Sequence, residues 1–476
     1  MLRWALSGTA AVKRSTSSAA VCCRHVMSGV TSRSTQAHIF VRSLNKKRFG
    51  DRTKCNYTVC VSILLERGIA DRMSELLAAV PVVVLEGPRA SGKTALGTIL
   101  RNRGLMPHIV DLSDPTVRAA AQSAPATFID NLPTPAFIDE AQLVPELPLA
   151  VKRRVDRERT NGAFILTGSS RLGRAQLGGS DPLAGRAARV RLWPMTQGEL
   201  SGRPCNLVEQ LHAGPPRPAR PNASISRADL LERVRRGGLP NLAGVIAPIS
   251  EAVRSQLMRE YAEGVLLHEI GQRHDRAEML RLLQYLAATT SRVLNVSTVA
   301  NELGSRRATV ESRLASLDAA FLVHMLAAHR TSEHRTLTAH PKVHAVDVGL
   351  AAWAARVDDA PPAAIWGALV ETFVINELLA QAGWLADDIA VRHWRDTTRK
   401  VEVDAVLVWP NDDSLPIEVK AASEVRPDDL KGLLAYLEAT PAAGYGIVFY
   451  AGALTLQLAD NIYAVPITAL WNDQAI

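Results

Sequence analysis

Gly87-Pro88-Arg89-Ala90-Ser91-Gly92-Lys93-Thr94 follows the apolar run Val82 to Leu85 and opens a stretch with helical patterning. Glycines at this spacing let the backbone turn its N–H groups onto phosphate oxygens. A lysine here reaches the β- and γ-phosphates, and the threonine after it offers a hydroxyl to Mg²⁺. Gly87 to Thr94 therefore read as a phosphate-binding loop for ATP, with Lys93 and Thr94 in those two roles.

Phe137-Ile138-Asp139-Glu140 closes a second hydrophobic run with two acids. Asp139 can hold Mg²⁺ through water, and Glu140 can polarise the water that attacks the γ-phosphate. Adjacent acids at a strand end also occur on solvated loops; it is the loop at residues 87 to 94 that makes this pair catalytic. Phe164 to Ser170 forms a further apolar run ending in hydroxyl residues. Thr167 and Ser169 are candidates to touch the attacking water or the γ-phosphate, a plain Gly-Ser turn being the alternative. Arg171 and Arg186 follow. Either guanidinium, from its own subunit or a neighbour, can neutralise charge that develops in phosphoryl transfer. Arg171 reads better as a surface residue, which leaves Arg186 as the catalytic arginine.

Near the other end, Glu402-Val-Asp404 and Glu418-Val-Lys420 flank the turn Pro410 to Pro416. Residues two apart on a strand share a face, so Glu418 and Lys420 point together, and an antiparallel hairpin brings Asp404 beside them. Two carboxylates for Mg²⁺ and a lysine to position or deprotonate water are what metal-dependent phosphodiester cleavage requires. Glu371 on the preceding helix can complete the metal shell. An edge hairpin with alternating charges accounts for the same residues.

The elements that position these residues alternate. Strands are expected at Val82 to Glu86, His108 to Leu112, Pro135 to Asp139, Gly162 to Thr167 and Ala188 to Leu192, separated by helical stretches. That order predicts a parallel sheet covered on both faces, a three-layer α/β domain over residues 61–205. Residues 206–270 read as a helical lid or connector with a Pro-rich segment and a forced turn at Gly237 to Pro240. Three helices (276–289, 296–303, 306–321) and two strands over residues 271–345 suggest a winged helix-turn-helix. Its Arg306, Arg307 and Arg313 either read DNA or form a solvated face. Residues 346–476 form a separate α/β domain.

At 476 residues the chain is too long for one core, and 47% hydrophobic with 21% charged residues is ordinary globular composition. Residues 1–60 hold eleven Lys/Arg against Asp51 alone, a net of +10, whereas the whole chain carries +8; the rest is therefore at −2. A nucleic-acid or membrane reading of the total would rest on that tail. No apolar run reaches the length that spans a bilayer. The tail reads as a presequence or as an over-extended translation start, with the second preferred. Four of the five cysteines (Cys22, Cys23, Cys55, Cys60) fall in it. With only Cys205 elsewhere, no disulfide framework emerges, and a reducing cytoplasm is the expected compartment.

Taken together, Gly87 to Thr94, Phe137 to Gln142, Ile165 to Ser170, Leu183 to Arg186, Leu192 to Leu200, Gly237 to Pro240, Lys342 to Leu350, Gly367 to Leu378, Glu402 to Leu407 and Ile417 to Ala422 carry a resemblance. The chain resembles the prokaryotic AAA-like ATPases of the signal-transduction (STAND) group, which join a phosphate-loop domain to a winged helix and a restriction-endonuclease-like C-terminal domain. The resemblance covers about residues 62–476. It implies ATP and Mg²⁺ roles for Lys93, Thr94, Asp139 and Glu140 and a sensing role for Arg186. It further implies that Glu371, Asp404, Glu418 and Lys420 occupy the nuclease-like positions. Three functions are open at this point: an ATP-hydrolysing switch, an ATP-gated metal-dependent DNA endonuclease, and a non-enzymatic DNA-binding or scaffold protein. DNA, a further copy of the chain or another protein are the partners these readings name.

Overall fold

The computed structural model describes residues 38–42, 60–170, 172, 181–218, 224–245, 248–270, 274–329 and 340–472. Strands β1 (His38–Arg42) and β2 (Cys60–Leu64) pair antiparallel. Apart from these, the expected extension over residues 1–60 lies outside the described residues, as does Arg171.

Five strands then build one parallel sheet: β3 (Val82–Glu86), β4 (His108–Asp111), β5 (Ala136–Asp139), β6 (Phe164–Gly168) and β7 (Ala187–Arg191), in the order β4-β5-β6-β3-β7. Every pair is parallel, so each connection must cross over, and helices do so on both faces. Strand periodicity divides the core accordingly. Val82 and Val84 join Phe164, Leu166 and Ile138 on one side, against Val151 of helix Leu147–Glu158. Val83 and Leu85 join Ile165 and Phe137 on the other, against Leu96 and Leu100 of helix Lys93–Asn102. The register sets Leu85 opposite Thr167 and Ile138 opposite Leu166. The carboxyl ends of β3, β5 and β6 therefore finish together.

Helices Leu207–Ala213, Arg227–Arg236 and Glu251–Val265 follow, the last continuing as a π-helical turn over Leu266–Ile270. Helices Arg276–Ala288, Val296–Glu302 and Arg307–Ala319 pack with a small sheet ordered β8-β10-β9, made of β8 (Arg292–Val293), β9 (Val323–Leu326) and β10 (Lys342–Ala345).

The C-terminal part is built on β11 (Ala390–Asp396), β12 (Val401–Val408), β13 (Ser414–Lys420), β14 (Gly446–Tyr450), β15 (Leu456–Ala459) and β16 (Ile462–Pro466). The sheet order is β11-β12-β13-β14-β16-β15. Ala405 and Leu407 face helix Ala363–Ala382, whereas Val403 and Val406 face Leu433 and Tyr436 of helix Lys431–Ala439. β15 and β16 go beyond the elements expected from sequence, whose last strand was Tyr445 to Tyr450. Helix Ala363–Ala382 also corrects the reading of apolar runs. By length and composition it could cross a bilayer, yet 61% of its apolar window is buried inside the molecule. It is the central helix of the largest cluster of buried side chains described here.

The turn and the run that the sequence singles out meet each other. Gly238 N–H donates to Asp347 Oδ2 at 2.7 Å and Leu350 N–H to Asp347 Oδ1 at 3.0 Å. Gly237 has φ +63°, and a Cβ there would stand 2.4 Å from Asp347 Oδ1, so only glycine fits. From the helix, Glu377 accepts from Gln197 N–H at 2.9 Å and Gln381 from Leu207 N–H at 2.8 Å.

Candidate functional site

The loop's backbone demands its glycines. Gly92 has φ +95°, and a Cβ on Gly87 would lie 2.3 Å from Leu192 O. Ala90, at φ +62°, takes a left-handed conformation that costs a residue with a side chain. Two neighbours hold the loop from behind. Buried Arg67 donates to Ser91 O at 2.7 Å and to Trp193 O at 2.9 Å, and its Nε pairs with Glu199 at 2.9 Å. Glu199 is itself fixed by a capping box with Thr196. Neither Arg67 nor Glu199 was legible as part of the site, because each acts on a backbone far away in the chain.

Lys93 is buried and its Nζ donates to Gly87 O at 2.9 Å and Pro88 O at 3.0 Å. Burial pulls its ammonium below the ordinary lysine range, opposed by the charges of Glu140, Asp139 and Glu269. Thr94 Oγ1 donates to Asp139 Oδ2 at 2.5 Å. The other carboxylate oxygen of Asp139 accepts from Thr167 Oγ1 and from Glu140 N–H, the latter at 3.2 Å. Thr167 therefore backs the acid. A hydroxyl and a carboxylate side by side, with Thr94 exposed, form a hard-oxygen pair that would suit Mg²⁺.

Glu140 sits just past β5 in a left-handed conformation, φ +54°. Its Oε2 accepts from Gln142 Nε2, whose second proton goes to Ser169 Oγ at 2.9 Å, and Ser169 Oγ itself stands 3.2 Å from Oε2. Ser169 donates in turn to Glu269 Oε1 at 2.6 Å, and Arg89 of the loop lies 3.7 Å from the same oxygen. Glu269 comes from the π-helical turn, about a hundred residues later than Ser169. Sequence reasoning missed both Gln142 and Glu269. Gln142 had a signal in its position two residues after Glu140; Glu269 had none.

Arg186 stands elsewhere. It precedes β7, its carbonyl accepts from Val82 N–H at the start of β3, and its guanidinium is bidentate with Asp156 at 2.5 and 3.1 Å. That is the amino end of the strands, opposite the loop, so within one chain it does not reach the phosphates. Arg313, offered as a DNA reader, is also corrected: it is buried and ion-paired with Glu278. Arg307 is exposed and pairs with Glu311 one turn on, at 2.8 Å. Arg306 marks that helix's start.

The second cluster does assemble. Glu371 on helix Ala363–Ala382, Asp404 on β12, and Glu418 with Lys420 on β13 come together, but with a lysine that the sequence reading had not placed there. Lys342 Nζ from β10 lies 2.9 Å from Asp404 Oδ1, 3.0 Å from Glu371 Oε1 and 3.8 Å from Glu402 Oε1. Lys420 pairs with Glu418 at 2.9 Å and with Asp429 at 3.5 Å. Burial, then the charge of Asp404, raises Glu418 above the ordinary carboxyl range. Burial pulls Lys342 down, but Asp404, Glu371 and Glu402 outweigh it and hold its ammonium above the usual lysine range. Among the described residues, no group of three or more His, Cys, Asp or Glu side chains is arranged to hold a metal ion.

Three family models match the chain. Residues 79–201 match an AAA domain, residues 227–360 a domain of unknown function (DUF8612), and residues 366–470 another (DUF4143). Uncharacterized proteins of Mycobacterium tuberculosis and Mycobacterium bovis are each 27% identical over 418 residues, 86% of this chain and 86% of theirs. Among solved structures, a Walker-type ATPase of Pyrococcus abyssi has a TM-score of 0.36 at 14% identity. That likeness covers 60% of this chain and 94% of that one. A STAND protein with a tetratricopeptide repeat sensor from Pyrococcus horikoshii has a TM-score of 0.24 at 14% identity, covering 66% of this chain and 46% of its own. The match over residues 79–201, the five-stranded parallel sheet and the loop at its carboxyl edge together support a P-loop ATPase domain of the AAA type in this part of the chain.

Proposed function

We propose that the chain is an ATP-hydrolysing switch. The reading is supported above all by the contact of Thr94 with Asp139 beside a Glu140 held in place by Gln142. ATP binds with its phosphates on the Gly87 to Thr94 backbone, where they compete with the loop's own carbonyls for the Lys93 ammonium. Thr94 and Asp139 would hold Mg²⁺, which supplies charge neutralisation on the phosphates. Glu140 orients and deprotonates the attacking water, and Gln142, anchored on Ser169 Oγ, fixes the Glu140 carboxylate.

The nucleotide state reaches the rest of the chain through Glu269. It touches Arg89 and Ser169 at the mouth of the loop and belongs to the turn that ends helix Glu251–Val265. A triphosphate and this carboxylate repel each other, so binding shifts the helix and the module that follows it. In this reading residues 61–205 are the ATPase domain, 206–270 the connector, 271–345 a winged helix and 346–476 an endonuclease-like domain. The three-helix order with its β8-β10-β9 sheet, and the helix-flanked six-stranded sheet, support the last two. Arg186, remote from its own loop, serves nucleotide sensing only from a neighbouring copy.

The deciding experiment is ATP binding and turnover by the full chain and by Lys93→Ala. The variant should lose nucleotide binding; ATP affinity equal to wild type would overturn the proposal.

A further inference from the structure

The C-terminal acidic cluster has the residues of a metal site but is already occupied by a side chain. Lys342 is 2% exposed, and its ammonium touches Asp404 at 2.9 Å and Glu371 at 3.0 Å with Glu402 at 3.8 Å. Asp404 Oδ2 is taken by Val419 N–H at 3.0 Å. Glu418 Oε1 faces Lys420 at 2.9 Å. A divalent cation needs around six oxygens at roughly 2.0 to 2.6 Å. It cannot share Asp404 and Glu371 with an ammonium already in hydrogen-bond contact with both. Glu418 Oε2 lacks a hydrogen-bond partner, but one oxygen is not a coordination shell.

We propose that Lys342 takes the place of a divalent cation in this cluster, so that the cluster carries no metal and works as an ion-pair joint. The joint ties β10 of the small sheet to helix Ala363–Ala382 and to β12 of the large one. Nothing else in that arrangement requires a lysine at the end of a buried strand. A buried charge persists only where opposite charges meet it at close range, and the two nearest carboxylates come from two different elements. The endonuclease-like constellation is thereby turned from catalysis to fastening, whether or not the phosphate loop turns over ATP.

The test is Mn²⁺ titration of the nucleotide-free full chain, followed by electron paramagnetic resonance of the free ion, with melting curves alongside. Wild type should show no site that depends on Asp404. Lys342→Ala should gain one Mn²⁺ per chain, lost again when Asp404→Asn is added, and Mn²⁺ should raise its melting temperature but not that of wild type. A folded Lys342→Ala without such a site would overturn the proposal. So would wild-type Mn²⁺ binding that vanishes in Asp404→Asn, or Mn²⁺-dependent DNA nicking that vanishes in Lys420→Ala. The comparison of wild type with Asp404→Asn decides alone if Lys342→Ala does not fold.

Discussion

Thr94 Oγ1 and Asp139 Oδ2 lie 2.5 Å apart, although 45 residues separate them in the chain. The contact exists because β5 and β3 flank β6 in register, which brings the end of one strand level with the first turn of the helix after the other. Thr167 then steadies Asp139 from the strand between.

Glu140 is next to this pair and is the proposed general base. Glu140→Gln keeps the size and the contact with Gln142 but removes the base. Turnover of ATP should fall by about 10² to 10⁴, the range for loss of a positioned general base, with ATP affinity near wild type. Steady-state hydrolysis beside equilibrium nucleotide binding measures both, and undiminished turnover would remove Glu140 from the mechanism.

Glu269 places a carboxylate against Arg89 and Ser169 where a γ-phosphate is expected to arrive. Glu269→Gln should tighten ATP binding on the order of tenfold, about 1.4 kcal/mol, by removing one like charge. ADP, which lacks that phosphate, should respond less. Equal gains for ATP and ADP would show that the acid does not face the terminal phosphate.

Asp347 is buried and satisfies the N–H groups of Gly238 and Leu350. Asp347→Ala strands both donors, and each buried orphan costs about 1 to 3 kcal/mol. Chemical denaturation should report a loss of a few kcal/mol with the fold retained at low denaturant. A change under about 0.5 kcal/mol, ordinary for an exposed site, would mean that water replaces the carboxylate.

Glu377 gives a pH signature. Burial, with Glu199 adding to it, pushes its carboxyl up to about 8 against the pull of Gln197 N–H and Arg233. The folded chain thus keeps a proton that the unfolded chain gives up above its ordinary value of 4.5. Its contribution to stability is greatest below that value and declines as pH rises towards 8. Over this window Glu377→Gln should remove a downward slope of about 1.4 kcal/mol per pH unit, one proton's worth. Parallel stability-against-pH curves for the two proteins would contradict this.

What could be seen in the sequence was what local pattern determines. Val82 to Thr94 declare strand, loop and helix because β-branched residues, glycines and Lys-Thr fall at fixed spacing. Asp139 and Glu140 gained meaning from that loop alone. Arg186 misled although its place just before the strand expected at Ala188 to Leu192 already set it at the amino end of the sheet, away from the loop. Lys342 and Glu269 were invisible as site residues for a related reason: each enters from an element whose docking depends on the whole packing arrangement. Helix Ala363–Ala382 was underrated as an apolar segment because Glu371 and Glu377 interrupt its composition, while in space they serve opposite partners, Lys342 and Gln197.

Glu377 and Gln381 are one helical turn apart, and each grips a backbone amide of the segment that leaves the ATPase sheet. The helix that opens the last quarter of the chain is therefore a spine for the segment that follows the amino-terminal sheet. Cutting the protein at the seams that its sequence suggests would strip the amino-terminal piece of a wall it leans on. Fragments ending near residue 205 should be sticky and prone to precipitate, and the two pieces co-expressed should find each other again.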